Sequence, residues 1–303
     1  MNQTGGHMMK RLYNQSHRKQ QQQAAYAFVL PAVLLLFTFL ILPAFSTIGY
    51  SLTDYNIMRP DKISFVALEN FRELIHDENF RKALRNIIHF TVFVVPYQCL
   101  LALALLTNVK LKGASVFRAA YFSPMVTSMV VIAILWSVLY NPNPNQGLIN
   151  AFLTSFGIGP AAFLTSPKRA MNSIVFMSGW QAAGYQMMIF VAGLQGIPQD
   201  QYEAASIDGA GKLQQFFYIT LPGLKNIIKY VIMITTIQAM KLFTQPYVMT
   251  QGGPQNATRT FVYYIYQQGF QSRNFGYACA VAAVFFLIVV TMSFLLKRII
   301  KAN

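Results

Sequence analysis

The sequence is poor in charge, and poorest in acid. Of 303 residues only 11% are Asp, Glu, Lys or Arg, and nine are acidic. A soluble domain carries about a quarter charged residues, so the composition argues against a soluble class and for a membrane protein. The two cysteines, Cys99 and Cys279, fall in apolar runs and read as buried thiols, with no disulfide framework. The four histidines, His7, His17, His76 and His89, are scattered without metal-ligand spacing. Gly209-Ala-Gly-Lys212 fails as a phosphate loop, because Ser206 stands where the first glycine is required and Leu213 where Ser or Thr is required. There is no Gly-x-Ser-x-Gly elbow either. The usual signatures of a hydrolase, a metalloenzyme or an ATPase are therefore missing.

What is present is apolar length. A spanning helix needs about 20 mostly apolar residues. Six runs qualify: Tyr26–Tyr50, Ile87–Thr107, Tyr121–Leu139, Met171–Leu194, Tyr230–Met249 and Tyr277–Leu296. The first is too long for a signal-peptide core of about 7–15 residues and reads as a retained span. The expected fold is an all-α membrane protein of about six transmembrane helices, with a polar tail over 1–23 and a transmembrane domain over 24–303. Short amphipathic helices are expected on the outer surface over Asn70–Asn86, a basic inner turn over Lys110–Gly113, and outer turns over Asn141–Gly147 and Gln251–Pro254. A surface helix is expected over Leu148–Phe156.

The net charge of +15 follows from topology better than from nucleic-acid binding. With both termini inside, the inner segments carry thirteen basic residues, among them Lys10, Arg18, Lys110, Lys225 and Lys297, and the outer segments carry ten. Lys241 stands apart, within the fifth run. A charge there costs about 2.5–3.5 kcal/mol on insertion scales, so it either snorkels to an interface or faces a cavity. The nine acids avoid the centres of all six runs, which counts against proton- or sodium-coupled transport.

A polar island separates the fourth and fifth runs. Pro198 and Asp200 suit the first turn of a helix over Gln199–Ala210, and Gly209 and Gly211 suit its end. A second short helix over Lys212–Thr220 is expected to stop before Pro222, with Phe216, Phe217 and Ile219 anchoring the loop. Ala204, Ala205, Ser206 and Ala210 would let a partner surface approach closely, and Glu203 and Asp208 would offer it charge. From residue types alone, an ordinary interfacial helix accounts for the segment equally well.

Tyr202-Glu-Ala-Ala-Ser-Ile-Asp-Gly-Ala210, followed by Phe216 and Ile219-Thr-Leu-Pro222, resembles the EAA loop of permeases of the bacterial ABC carbohydrate importers, the maltose and glycerol-phosphate type. Ala192-Gly-Leu-Gln-Gly-Ile-Pro198 resembles the same family, as do Thr250-Gln-Gly-Gly-Pro254 with Asn256, Thr258 and Tyr264, and Glu69-Asn-Phe71 with Asn79 and Phe80. Trp136, Gly147 and Asn150 also fit. Thr244 departs from the aspartate that the family often places after the residue matching Phe243.

The resemblance implies a pore-forming, non-enzymatic subunit in the bacterial inner membrane, with both termini cytoplasmic. A cytoplasmic coupling helix within about 198–222 would dock on an ATPase through Glu203, Ala204, Ala205, Asp208, Gly209 and Ala210. The implied partners are a second permease forming a heterodimer, two ATPase subunits and an external solute-binding protein. ATP and Mg would be bound by the ATPase partner, and no cofactor by this chain. The implied cargo is a sugar or oligosaccharide. Its path is expected along Trp180, Gln181, Tyr185 and Gln186 on the fourth run, Gln238, Lys241, Gln245 and Tyr247 on the fifth, and Thr127 and Ser128 on the third. Helix packing and interface anchoring compete for each of these positions. Lys241 and the absence of intramembrane acid lean the cargo towards an acidic saccharide. The alternative is a secondary transporter or channel that works without an ATPase.

Overall fold

The computed structural model describes residues 21–106 and 114–301. The inner turn expected over Lys110–Gly113 and most of the polar tail lie outside them. The described chain is helical, and its only sheet-like pairs are two isolated bridges, Thr53–Phe65 and Asn56–Asn274.

Helix α1 (Gln21–Ser51) runs for 31 residues, starting inside the expected tail. Its middle buries nothing against the rest of the chain. It packs through residues 42–51 onto the last helix, α13 (Phe275–Lys301). Between them come α2 (Glu69–His76), α3 (Glu78–Leu106), α4 (Ala114–Val126), α5 (Met129–Leu139) and α6 (Leu148–Ser155). Then follow α7 (Ala170–Leu194), α8 (Gln199–Ile207), α9 (Lys212–Gly223), α10 (Lys225–Met240), α11 (Thr244–Met249) and α12 (Phe261–Tyr266). A π-helical turn over Gln267–Gln271 leads from α12 towards α13. The amphipathic segment expected over Asn70–Asn86 divides differently: only α2 is separate, and its second half is the start of the 29-residue α3.

Helices α1, α3 and α13 are each long and apolar enough to cross a membrane. Two expected spans are not continuous. The third is broken at Thr127 and Ser128, where α4 and α5 meet at 98°. The fifth ends at Met240 and resumes at Thr244, so the Tyr230–Met249 run is not one helix. Apolar composition cannot report such breaks, because broken helices in membranes are tolerated wherever other groups satisfy the freed backbone. Here they do. Gln181 donates to the Pro124 carbonyl (3.3 Å) and Thr127 to the Ser123 carbonyl (3.1 Å). Thr260 donates to the Leu242 carbonyl (2.7 Å).

The centre of the bundle is α7. It packs on α3, α4 and α10, and fourteen of its 25 residues are buried, several of them small or polar. Small residues let membrane helices approach closely. At Gly184 a Cβ would lie 2.0 Å from the Tyr121 carbonyl oxygen, so α4 can cross α7 there only against glycine. Cys99 and Cys279 are free and buried.

One end of the bundle is knotted by asparagines. Asn70 donates to the carbonyls of Ser51 (2.8 Å) and Thr53 (2.9 Å), closing the end of α1. Asn86 donates to the carbonyls of Asn256 (2.8 Å) and Arg259 (2.9 Å), and Asn256 donates to Asn79 (3.2 Å). The fully buried Asn150 donates to the carbonyls of Asn141 and Ala161 and accepts from the Ala161 N–H (2.7 Å). Asp77, between α2 and α3, accepts from the hydroxyls of Tyr264 and Tyr277. Burial pushes the Asp77 carboxyl pKa up. Those two hydroxyls and the N–H groups of Asn79 and Phe80 outweigh burial and hold it below its usual 3.8.

Candidate functional site: a cavity between two broken helices

Both helix breaks open onto one cavity of about 440 Å³, within the range of about 300–1,000 Å³ of small-molecule sites. It lies between α3, α4, α7, α10 and α11. Of the expected path residues, Thr127, Gln181, Tyr185, Gln238, Lys241 and Gln245 line it. Four do not. Ser128 precedes α5 as its N-cap residue. Trp180 is 41% exposed and pairs with Trp136 at a ring-centroid distance of 5.4 Å. Tyr247 packs beside the cavity against Phe243, at a centroid distance of 5.3 Å.

Gln186 is the fourth. It is buried, donating to Gln98 Oε1 (2.9 Å) and more loosely to Thr235 Oγ1 (3.3 Å). Gln98 in turn donates to the Ser178 carbonyl (3.0 Å). This polar chain ties α3, α7 and α10 together, and it lies behind the cavity wall formed in part by Gln98, Ser178 and Thr235. Sequence reasoning missed those three wall residues. Gln98 left a signal, as an amide in an otherwise apolar run; Ser178 and Thr235 left none, because small hydroxyls are ordinary helix-packing groups.

Lys241 occupies the break itself. It is the C-cap residue of α10, where a cation suits the negative end of the helix dipole. Its side chain is exposed, and among the described residues no carboxylate partners it. The cavity lining contains Lys241 and no acidic residue. Polar amides, hydroxyls and one cation at the ends of interrupted helices are the arrangement by which membrane transporters hold a solute at mid-depth.

The polar island projects from the other end of α7 and α10. Leu224, fully buried, and Ile227 pack over Gly193, and Ile197 packs over Gly223, pinching the base of the loop. Helix α8 is three residues shorter than expected, ending at Ile207 with Asp208 as its cap. Gly209 follows at φ +79°, the left-handed conformation. The Ala210 N–H donates to the Ala205 carbonyl (2.8 Å) and the Gly209 N–H to Ser206 (3.2 Å), the double bond of a Schellman end. Pro222 does not end α9; after a π-helical stretch over Phe216–Thr220 it sits in a first helical turn, and the chain then bends by 66° into α10.

Tyr202 and Thr220 share a hydrogen bond (2.9 Å) that holds α8 to α9, and Gln215 donates to Ser206 Oγ (2.8 Å). Of the three expected anchors, Phe216 and Ile219 are half-buried, but Phe217 is 54% exposed and meets its neighbour Phe216 edge-on at 5.4 Å. Glu203 and Asp208 are exposed, with Ile207 at 87% and Leu213 at 73% beside them. Those two apolar side chains were not singled out from the sequence.

Residues 79–302 match the sequence profile of the "Binding-protein-dependent transport system inner membrane component" family. The probable ABC transporter permease YurN of Bacillus subtilis is 36% identical over 92% of this chain and 96% of its own. The lactose transport system permease LacF of Rhizobium radiobacter is 35% identical over 89% and 91% of the two chains, and the arabinooligosaccharides permease AraP of B. subtilis 32% over 90% and 87%. In fold, the chain is similar to one in the crystal structure of a bacterial ABC transporter involved in import of the acidic polysaccharide alginate, with a TM-score of 0.80, 23% identity, and 96% and 99% of the chains covered. With its bundle of interrupted helices, its central cavity and a profile match over most of its length, the chain belongs to the inner-membrane permease family of binding-protein-dependent ABC transport systems.

Proposed function

We propose that this chain is one half of the pore of an ATP-driven importer of a sugar or oligosaccharide. The observation that carries the reading is the cavity, walled by Gln, Thr and Tyr side chains at two helix breaks, in a chain whose relatives AraP and LacF are named for arabinooligosaccharide and lactose transport. Gln181, Tyr185, Gln238 and Gln245 supply hydrogen-bond donors and acceptors suited to sugar hydroxyls. Lys241, unopposed by acid, favours a carboxylate-bearing saccharide; the similar alginate importer was solved with an alginate-pentasaccharide-bound periplasmic protein.

In this reading the chain pairs with a second, related permease, and both termini face the cytoplasm. The α8–α9 loop is the contact with an ATPase subunit: Glu203 and Asp208 form its charged edge, Ala204 and Ala205 allow close approach, and Gly209 and Ala210 hold the helix end. ATP, with Mg, is bound and hydrolysed on that partner. ATPase closure moves the loop as a rigid unit, and the pinched base passes the motion to α7 and α10, which wall the cavity. The pore then opens outward to a solute-binding protein, and hydrolysis resets it. Such a cycle needs contacts that differ between two global states, and a helix end fixed by a Schellman turn can transmit them.

The test is the ATPase activity of the assembled complex with its binding protein, screened over neutral and acidic oligosaccharides, amino acids and metal ions. Stimulation by a saccharide is expected. Stimulation only by amino acids or metal ions would overturn the substrate class.

A further inference from the structure

One wall residue of the cavity begins a chain of aromatic rings that the transport reading does not use. Phe243, at the α10–α11 break, stacks on Tyr247 with centroids 5.3 Å apart and ring planes at 16°. Tyr266 meets both edge-on, 5.5 Å from Phe243 and 5.3 Å from Tyr247. Phe270 stacks on Tyr266 at 5.6 Å and 28°. The cavity end of the run is the more enclosed and the far end the more open: Phe243 and Tyr266 are half-buried, Tyr247 is 39% exposed and Phe270 62%. Tyr263 lies behind them, buried, with its hydroxyl on the Gln251 carbonyl (2.9 Å). The far end belongs to the segment after the outer Gly252–Pro254 loop, so the run leads from the cavity towards the outer face. It carries no charged side chain.

We propose that Phe243, Tyr247, Tyr266 and Phe270 form a stacking track for the part of an oligosaccharide that does not fit in the cavity. This rests on the reading of the cavity as a saccharide site. The C–H faces of pyranose rings pack on aromatic faces, and tyrosine adds a hydroxyl for the sugar's own. A series of rings at near-equal spacing suits a repeating ligand, which can advance one ring at a time. Membrane-interface aromatics also collect at the headgroup level, but a belt has no reason to end in a cavity wall. Continuity with the cavity is what identifies the occupant.

The experiment uses the complete transporter in liposomes, with partner permease, ATPase subunits and binding protein. Two probe series, oligogalacturonides and malto-oligosaccharides, each run from monomer to pentamer, and the half-saturating concentration for ATPase stimulation is read for each length. In the wild type it should fall as the stimulating series lengthens. Phe270→Ala and Tyr266→Leu should raise it about fivefold for trimer and longer, a loss on the scale of one ring contact, and leave the monomer value unchanged. Phe270→Tyr, which keeps the ring at an exposed position, should retain the wild-type pattern. A rise equal at every length, or no rise at any, overturns the track while leaving the saccharide reading intact. No stimulation of the wild type by either series overturns the saccharide reading and the track with it.

Discussion

In the proposed function, Lys241 is the residue on which cargo selection would turn. It read from the sequence as a charge inside a span, an expensive placement, and the helix break removes most of that expense. At the C-cap of α10 its backbone is no longer mid-helix, it lines an open cavity, and a cation suits that end of the helix dipole. Lys241→Met should abolish any preference of the assembled transporter for acidic over neutral saccharides, weakening half-saturation by the acidic cargo by about tenfold, the loss expected of one charge-assisted hydrogen bond. The check is ATPase stimulation by matched uronate and neutral oligosaccharides; an unchanged preference refutes the role.

Asp77 gives a second test at this scale. Its folded pKa is lowered from 3.8, so its contribution is complete above that value and is lost as pH falls through the lower, folded value. The detergent-solubilised protein should therefore lose melting temperature below about pH 4. Asp77→Asn should be less stable at neutral pH, by about 1–2 kcal/mol for a partly exposed acceptor of two hydroxyls, and should lose that acid-limb dependence. Gln186 carries the opposite lesson. Its type suggested a sugar contact, yet its amide nitrogen is claimed by Gln98 on α3 and Thr235 on α10, and only tertiary packing could reveal that.

Among the elements, existence was legible and continuity was not. The apolar runs placed α1, α7 and α13 within a few residues but missed the polar first turns of α3, and turn chemistry placed α6 directly after the Asn141–Gly147 turn. The breaks at Thr127–Ser128 and Lys241–Phe243 were invisible because their freed carbonyls are satisfied by Gln181, Thr127 and Thr260, and only the folded chain brings Gln181 and Thr260 to them. The crossing at Gly184 belongs here too. Gly184→Val would drive a side chain into the Tyr121 backbone and part α4 from α7, costing about 1–3 kcal/mol as overpacking does. Gly49→Val, with open space around it, is the control. Thermal melting of both variants separates them; equal melting would show that α4 does not rest on Gly184.

The α8–α9 loop was the most legible element in kind and the least in detail. Its acids suggested a contact surface, and its apolar edge, Ile207 and Leu213, emerged only as exposure. If the loop couples to an ATPase, Ile207→Asp and Glu203→Lys should each cut saccharide-stimulated hydrolysis by about tenfold or more, the loss typical of an interface hot spot. Unstimulated hydrolysis by the isolated ATPase subunits should stay as it was. Full stimulation in both variants would return the loop to an ordinary surface helix.

For the whole molecule, the cavity, the pinched loop and the weakly self-packed α1 describe a chain built to be completed by others. The central claim is that it moves solute only when an ATPase partner hydrolyses ATP. The direct measurement is uptake of radiolabelled oligosaccharide into liposomes that hold the two permeases, with the binding protein outside and ATP inside. Uptake should occur with wild-type ATPase subunits and vanish when those subunits carry a hydrolysis-dead substitution. Uptake that persists with the dead subunits, or with this chain alone driven by an ion gradient, would contradict the account.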